Sequence, residues 1–178
     1  YEHDACGVGF VAHIKGVASR QIVDDAERIL RHMTHRGACG CEENTGDGAG
    51  MLLQLPHKFL SRETDRLKLR LPAEGAYGVG MFFLPRDRTE ADACRDITNR
   101  LIADEGLTLS GWRDVPTVNR GLGATALASE PVIRQVIVGH GPTVVPGDGL
   151  ERVLYVLRRR IENAVAAAGL AHAKDFYI

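Results

Sequence analysis

Cys6 is the first residue of this sequence whose type and position could do covalent chemistry. It stands among small residues, directly before the apolar stretch at residues 7–12. A cysteine is usually a small buried hydrophobe, but removal of residues 1–5 would give Cys6 a free α-amino group beside its thiol. The ordinary pKa of an α-amine, about 7.7–8.0, suits a base near neutral pH. The nucleophile and its base would then belong to one residue.

Arg36 is the second candidate, in the turn His35-Arg36-Gly37 that follows a predicted helix. One interpretation is structural: an arginine near the last turn favours the helix dipole, and a glycine can take the left-handed conformation that ends a helix. The other is functional, with the guanidinium directed at the active site, where it holds backbone or a carboxylate in place.

The spacing of the neighbouring histidines and cysteines disfavours a metal site. Zinc sites use Cys-x₂₋₄-Cys and His-x₃₋₅-His pairs. Here one residue separates Cys39 from Cys41, and two separate His32 from His35. We therefore expect no metal.

The remaining candidate groups are better explained by structure than by chemistry. The glycine-rich loop at residues 45–50 lacks the spacing of a phosphate-binding loop, so Asp47 is expected to brace it through backbone amides. Cys94 lies inside a predicted helix and is expected to be buried. The arginine run at residues 158–160 is expected to form a solvated helix face.

Apolar periodicity predicts the elements that must position these residues. Helices are predicted at residues 20–35, 57–69, 89–105 and 150–168, with glycines at 37, 106 and 169 as stops. Strands are predicted at residues 7–12, 51–55, 78–84, 107–115 and 132–138, while residues 119–128 could form a loop or a close-packed turn. This alternation permits either a parallel α/β sheet or an α+β layered fold.

Composition narrows the class of protein. The 178 residues correspond to about one domain, and 44% hydrophobic with 25% charged residues is ordinary for a globular protein. A net charge of −1 gives no basic surplus for binding nucleic acid or an anionic membrane, and no apolar run is long enough to cross a bilayer. Four cysteines are too few for a disulfide scaffold, so we expect a cytoplasmic protein. Because the sequence lacks an initiator methionine and stops as a β-prone run begins, we expect a fragment.

Several motifs resemble one known family. They are CGVGFVA from Cys6, HRGA from His35, TGDGAG from Thr45, GWRDVP from Gly111, and the final segment from Leu154 to Ile178. In this order they resemble the N-terminal class II glutamine amidotransferase domain of glutamate synthase large subunits, over essentially the whole chain.

The resemblance implies a fold and a site. The fold would be α+β, the four-layer αββα sandwich of the N-terminal-nucleophile hydrolases with antiparallel sheets, here incomplete at its C-terminal end. Residues 1–5 would be a propeptide, and residues 6–178 the front portion of the domain. Cys6 would be the catalytic nucleophile, and Arg36 would line the substrate-binding site in a supporting role.

The resemblance also implies a reaction: hydrolysis of L-glutamine to glutamate and ammonia, the ammonia passing to a synthase site that makes glutamate from 2-oxoglutarate. The family's Asn-Gly oxyanion hole and its glutamine-binding arginine and aspartate would lie beyond Ile178, so residues 1–178 alone are expected to be almost inactive. No cofactor is implied here. FMN and an iron–sulfur cluster would belong to later domains, a reductase subunit or ferredoxin would be a partner, and the location would be the cytoplasm or a plastid.

Two alternatives differ from this hypothesis. Another class II amidotransferase would share the cysteine and the His-Arg-Gly turn but lack the motif at Gly111 and the segment from Leu154. A non-catalytic binding or regulatory module would never unmask Cys6, so its mature chain would keep residues 1–5.

Overall fold

The computed structural model describes residues 7–37, 42, 46 and 48–178, with Arg36 described by its backbone alone. The chain divides into two compact units, one formed by Tyr1–Gln54 with Val118–Ser129 and the other by Leu55–Thr117 with Glu130–Ile178. The helices are α1 (Arg20–His32), α2 (His57–Arg66), α3 (Arg88–Asp104), α4 (Ala124–Ser129) and α5 (Asp148–Ala167), and the strands are β1 (Tyr77–Leu84), β2 (Thr108–Asp114) and β3 (Val132–Gly139).

The second unit is built on a three-stranded antiparallel sheet in the order β1-β3-β2. The central strand β3 is buried toward its C-terminal end, at Val136, Ile137 and Val138. The β2 strand carries an irregularity between Leu109 and Gly111. These antiparallel pairings confirm the α+β class and exclude the parallel sheet that periodicity had left open.

The two faces of this sheet bury side chains against different helices. Phe82 and Leu84 face the larger cluster, together with residues of α3 and α5, and Tyr77 and Ile137 pack with Leu60 of α2 on the other side. This follows from the two-residue period of a strand, which sends alternate side chains to opposite faces.

The first unit contains α1, and its helix begins as the sequence predicts. The Ser19 hydroxyl accepts a hydrogen bond from the Ile22 backbone N–H at 3.4 Å, the contact of an N-cap. Ion pairs one turn apart, from Arg20 to Asp24 and from Arg31 to Glu27, lie on the exposed side.

Most predicted elements are confirmed, with shifted ends. The helix predicted at residues 57–69 ends at Arg66, since Lys68 takes a φ of 55°. Gly106 and Gly169, with φ of 69° and 70°, follow α3 and α5 as predicted. The undecided segment at residues 119–128 contains the short helix α4.

Two strand predictions are wrong. Residues 7–12 and 51–55 are not in strands, and Val8, Phe10 and Leu52 are 94%, 90% and 100% exposed. An apolar run predicts burial, but a strand forms only when another strand pairs with its backbone, and no described strand pairs with either segment. In the part of the chain that the structure describes, no helix is long and apolar enough to cross a membrane.

Candidate active site

The two predicted site residues lie at the edges of what the structure describes. Cys6 and residues 1–5 lie outside the described residues, and the side chain of Arg36 is likewise outside them. The described segments next to these residues therefore bound the candidate site: residues 7–12 after the cysteine, and α1 with the turn that follows it.

These two segments contact each other within the first unit. A Cβ placed on Gly9 would lie 2.7 Å from the Ile29 Cγ2 atom, closer than real Cβ atoms approach their neighbours. The chain thus passes α1 so closely at Gly9 that no side chain fits there without movement. Gly9 is three residues beyond Cys6, and Ile29 lies in the last turn of the helix that leads to Arg36. The fold brings together the two parts of the chain that carry the candidate residues.

The backbone at Arg36 forms a short 3-10 turn and does not continue α1. The helix ends at His32 with Met33 as its C-cap, and the 3-10 turn spans Thr34–Arg36. Gly37, with a φ of −86°, is extended, so the left-handed glycine stop considered for this position is wrong. Arg36 therefore lies beyond the last turn of α1, at the end of the 3-10 turn.

The histidines of this region make structural contacts. The His35 Nδ1 atom lies 3.0 Å from the His32 carbonyl oxygen, so its ring N–H donates to the end of the helix. No three of the described histidine, cysteine, aspartate and glutamate residues are grouped to hold a metal ion. Cys39 and Cys41 lie outside the described residues, so the absence of a metal there stays a prediction.

Glu42 makes a contact that the sequence did not single out. Both of its carboxylate oxygens accept from the Thr125 backbone N–H, at 3.2 Å, in the first turn of α4. This contact joins Glu42 to α4 within the first unit. Asp47, the residue predicted to brace the loop, lies outside the described residues. The local sequence around Glu42 could not predict this contact, because the partner is a backbone amide 83 residues away.

Two other candidates are structural, as predicted. Cys94 is fully buried in α3, and burial, with a smaller contribution from Glu90, raises the pKa of its thiol to about 11. The arginines at 158–160 are partly exposed on α5 and pair with carboxylates: Arg158 and Arg159 with Glu162, and Arg160 with Glu105. The hydrogen bonds to these carboxylates raise the pKa values of Arg158 and Arg160.

Comparison with known proteins gives the family and its extent. A family model described as class-II glutamine amidotransferases matches residues 6–178. The chain is 39% identical over 177 residues to the glutamate synthase [NADPH] large chain of Bacillus subtilis and 41% identical over 187 residues to the glutamate synthase [NADH] of Schizosaccharomyces pombe. It is 36% identical over 177 residues to a ferredoxin-dependent glutamate synthase of Synechocystis.

These alignments cover nearly all of this chain and a small part of each relative. They span 99%, 100% and 99% of the chain, but 11%, 8% and 11% of the three relatives. The chain thus spans about a tenth of the length of the curated relatives it matches. The predicted resemblance is confirmed, including its extent along the chain.

Proposed function

This chain belongs to the class II glutamine amidotransferases, and from that premise we propose that it is the glutaminase part of a glutamate synthase. The observation that carries the proposal is the start of the family match at Cys6, the residue that its type and position had already singled out. The relatives named glutamate synthase, aligned along the whole chain, favour this enzyme over other class II amidotransferases.

The proposed reaction needs a free N-terminus at Cys6. Hydrolysis of the peptide bond before Cys6 removes residues 1–5 and leaves an α-amine beside the thiol. The amine takes the thiol proton, and the sulfur attacks the side-chain amide carbon of glutamine. As the C–S bond forms and the C–N bond breaks, the amine returns the proton to the departing nitrogen, and ammonia leaves. Water then attacks the thioester, which releases glutamate and restores the thiol.

Arg36 has a supporting role in this proposal. Its turn follows α1, and α1 packs at Ile29 against the segment that begins at the nucleophile. A guanidinium there would hold the backbone around Cys6 or a carboxylate through paired hydrogen bonds. It positions the reacting groups and does not form a bond with glutamine's amide.

The finer fold assignment is also a proposal. Residues 6–178 would be the front portion of a four-layer αββα sandwich, in which the sheet β1-β3-β2 with α3 and α5 supplies one sheet and one helix layer.

In the whole protein, ammonia would pass to a synthase site and be combined with 2-oxoglutarate. FMN and an iron–sulfur cluster would belong to later domains, outside these residues. The relatives carry NADPH, NADH and ferredoxin in their names, so a reductase subunit or ferredoxin would supply electrons. The location would be the cytoplasm, or a plastid.

Replacement of the nucleophile in the full-length protein tests the proposal. Cys6→Ala should lower glutamine-dependent glutamate formation by on the order of 10³ or more, because no other group can form the thioester. Ammonia-dependent formation should persist, because it bypasses this site. Cys94→Ala, which removes a buried thiol, is the matched control and should keep both activities. Retained glutamine-dependent activity in Cys6→Ala would refute the assignment.

The mass of the mature N-terminus separates the enzyme from a non-catalytic module. We expect the mature full-length protein to begin at Cys6. A fully active protein that retains residues 1–5 would contradict the proposed mechanism, because an acylated nitrogen cannot act as the base.

A further inference from the structure

The short helix α4 belongs to the first unit, although the chain on both sides of it belongs to the second. Val118–Ser129 groups with Tyr1–Gln54, whereas the residues before and after this segment group with each other. α4 has six residues and none of them is buried, and a helix of this length is marginal on its own. Neither core packing nor intrinsic helix stability therefore explains why the chain forms a helix here.

The start of α4 has no capping side chain of its own. The first backbone N–H groups of a helix have no partner within the helix, and the side chain of the residue before it usually accepts from one of them. That residue is Gly123, whose carbonyl accepts from the Leu127 N–H at 3.0 Å but which has no side chain to offer. The Thr125 N–H donates instead to both carboxylate oxygens of Glu42 at 3.2 Å. Glu42 thus does for α4 what Ser19 does for α1.

The same contact fixes the chain a short distance after the candidate substrate-binding arginine. Glu42 is six residues beyond Arg36 in the sequence. The chain is also fixed directly after Arg36, because the Gly37 N–H donates to the Thr34 carbonyl at 3.2 Å. Six residues of extended chain reach at most about 20 Å. An anchor at Glu42 therefore restricts the path of the chain that leaves Arg36.

We propose that Glu42 is a positioning residue for the glutaminase site, and that α4 is its fixed point. Through the Thr125 amide, Glu42 holds the chain that follows Arg36 and so keeps the backbone of that arginine in place beside the segment that begins at Cys6. It acts through Arg36 and not on the amide of glutamine. This inference rests on the proposed function and adds to it one residue and one helix.

Steady-state kinetics of the full-length protein test this role. Glu42→Ala should raise the KM for glutamine by about 10-fold, the value of one hydrogen bond to a charged group, with little change in kcat. Ammonia-dependent glutamate formation should not change, which also shows that the variant is folded. Glu42→Gln should restore most of the wild-type KM, because its amide oxygen still accepts from the Thr125 N–H.

A carboxylate elsewhere in the first unit provides the matched control. Glu27 lies on α1 and pairs with Arg31 at 2.6 Å, one turn away on the exposed side. Glu27→Ala removes a negative charge from the same unit without touching α4, so the KM for glutamine should stay at the wild-type value. An equal rise in KM for Glu27→Ala and Glu42→Ala would show that the charge of the unit matters and the contact with α4 does not.

Deletion of the donor tests whether Glu42 acts through this amide. Thr125→Pro removes the N–H, and proline is tolerated in the first turn of a helix, whereas Thr125→Ala keeps the N–H and should leave KM unchanged. Thr125→Pro should raise KM as Glu42→Ala does. The double variant should be no worse than either single one, because both changes remove the same bond. Additive effects of the two changes would overturn the proposed route.

Hydrogen exchange of the Thr125 amide separates the ways in which the inference could fail. We expect this amide to exchange faster in full-length Glu42→Ala than in the wild type. An unchanged rate would mean that the bond is not made, and a faster rate with an unchanged KM would mean that the bond does not position the site. Either result overturns the inference and leaves the proposed function standing, because that function is tested separately by Cys6→Ala.

Discussion

At the scale of single residues, the environment of Cys94 predicts an unreactive thiol. Cys94 is fully buried, and its pKa is raised to about 11, mainly by burial and then by Glu90. At pH 8 only about 0.1% of such a thiol is ionised, against about a quarter for a thiol with the ordinary pKa. Because the thiolate is the nucleophile, Cys94 should be inert where Cys6 reacts.

Alkylation of the full-length protein measures this difference. Iodoacetamide at pH 8 should modify Cys6 with parallel loss of glutamine-dependent activity, while Cys94 stays unmodified until the protein is denatured, as read from peptide masses. Inactivation that follows Cys94 modification, or that disappears in Cys94→Ala, would contradict both assignments.

Gly9 carries the second prediction at this scale. A methyl group at Gly9 would clash with Ile29, since its Cβ would lie 2.7 Å from Cγ2, so either Ile29 or the segment that follows Cys6 must move. Gly9→Ala should therefore lower glutaminase activity, by up to ~10²-fold if the nucleophile shifts by about 1 Å. Steady-state kinetics of the full-length protein provide the measurement.

Two variants control for the Gly9 experiment. Gly50→Ala adds the same methyl group where nothing lies within 4 Å and φ is not positive, so its activity should not change. Ile29→Ala combined with Gly9→Ala removes the clashing atoms and should restore part of the lost activity. Full activity of Gly9→Ala would mean that this close approach does not position the nucleophile.

At the scale of elements, α2 is joined to the sheet by a buried cation. Arg113 of β2, 7% exposed, donates to Glu63 of α2 at 3.2 Å and to Gln135 of β3, and lies 5.4 Å from the Phe59 ring centroid. Removing one partner of a buried pair typically costs ~3–5 kcal/mol, and the lower end applies here because Glu63 keeps a second, exposed partner. Arg66 pairs with the same glutamate on the exposed side at 3.0 Å.

We therefore expect Arg113→Met to destabilise the sheet by roughly 3 kcal/mol. The matched control is Arg66→Ala, which removes the exposed partner and should destabilise the sheet by about 1 kcal/mol or less. The measurement is hydrogen exchange of the slowest β3 amides in the full-length protein, which reports the opening free energy of the sheet. Equal effects of the two variants would show that burial does not strengthen the ion pair between Arg113 and Glu63.

The elements predictable from sequence are those whose signal is local. The hydroxyl of Ser19 and an apolar stripe are enough to predict α1. The glycine at position 106 is enough to predict where α3 ends. Residues 7–12 and 51–55 carry the same apolar signal as β1, but strand formation depends on a partner that no local pattern specifies. For the same reason, periodicity left the choice between parallel and antiparallel sheets open, and only the pairing of β3 with both neighbours decided it.

For the site, sequence reasoning identified the family from its motifs, and it singled out Cys6 from its chemistry, which stays a prediction. It could not identify the Gly9–Ile29 approach or the Glu42 contact with α4, because each joins residues distant in sequence through space. The left-handed stop at Gly37 failed for a related reason: glycine permits that conformation without requiring it, and the 3-10 turn at Thr34–Arg36 satisfies the helix end instead.

At the scale of the whole molecule, glutaminase activity should require more than these residues. None of the asparagines in the sequence is followed by glycine, so the Asn-Gly oxyanion hole that the family resemblance implies has no counterpart here. Each missing oxyanion donor costs about 10²–10³ in rate. Residues 6–178, produced with Cys6 at the N-terminus, should hydrolyse glutamine at least ~10²-fold more slowly than the full-length protein at equal concentration. If circular dichroism of residues 6–178 retains the helical signal, the loss of activity comes from missing catalytic groups and not from unfolding. Comparable rates of the two proteins would place the oxyanion donors within this chain.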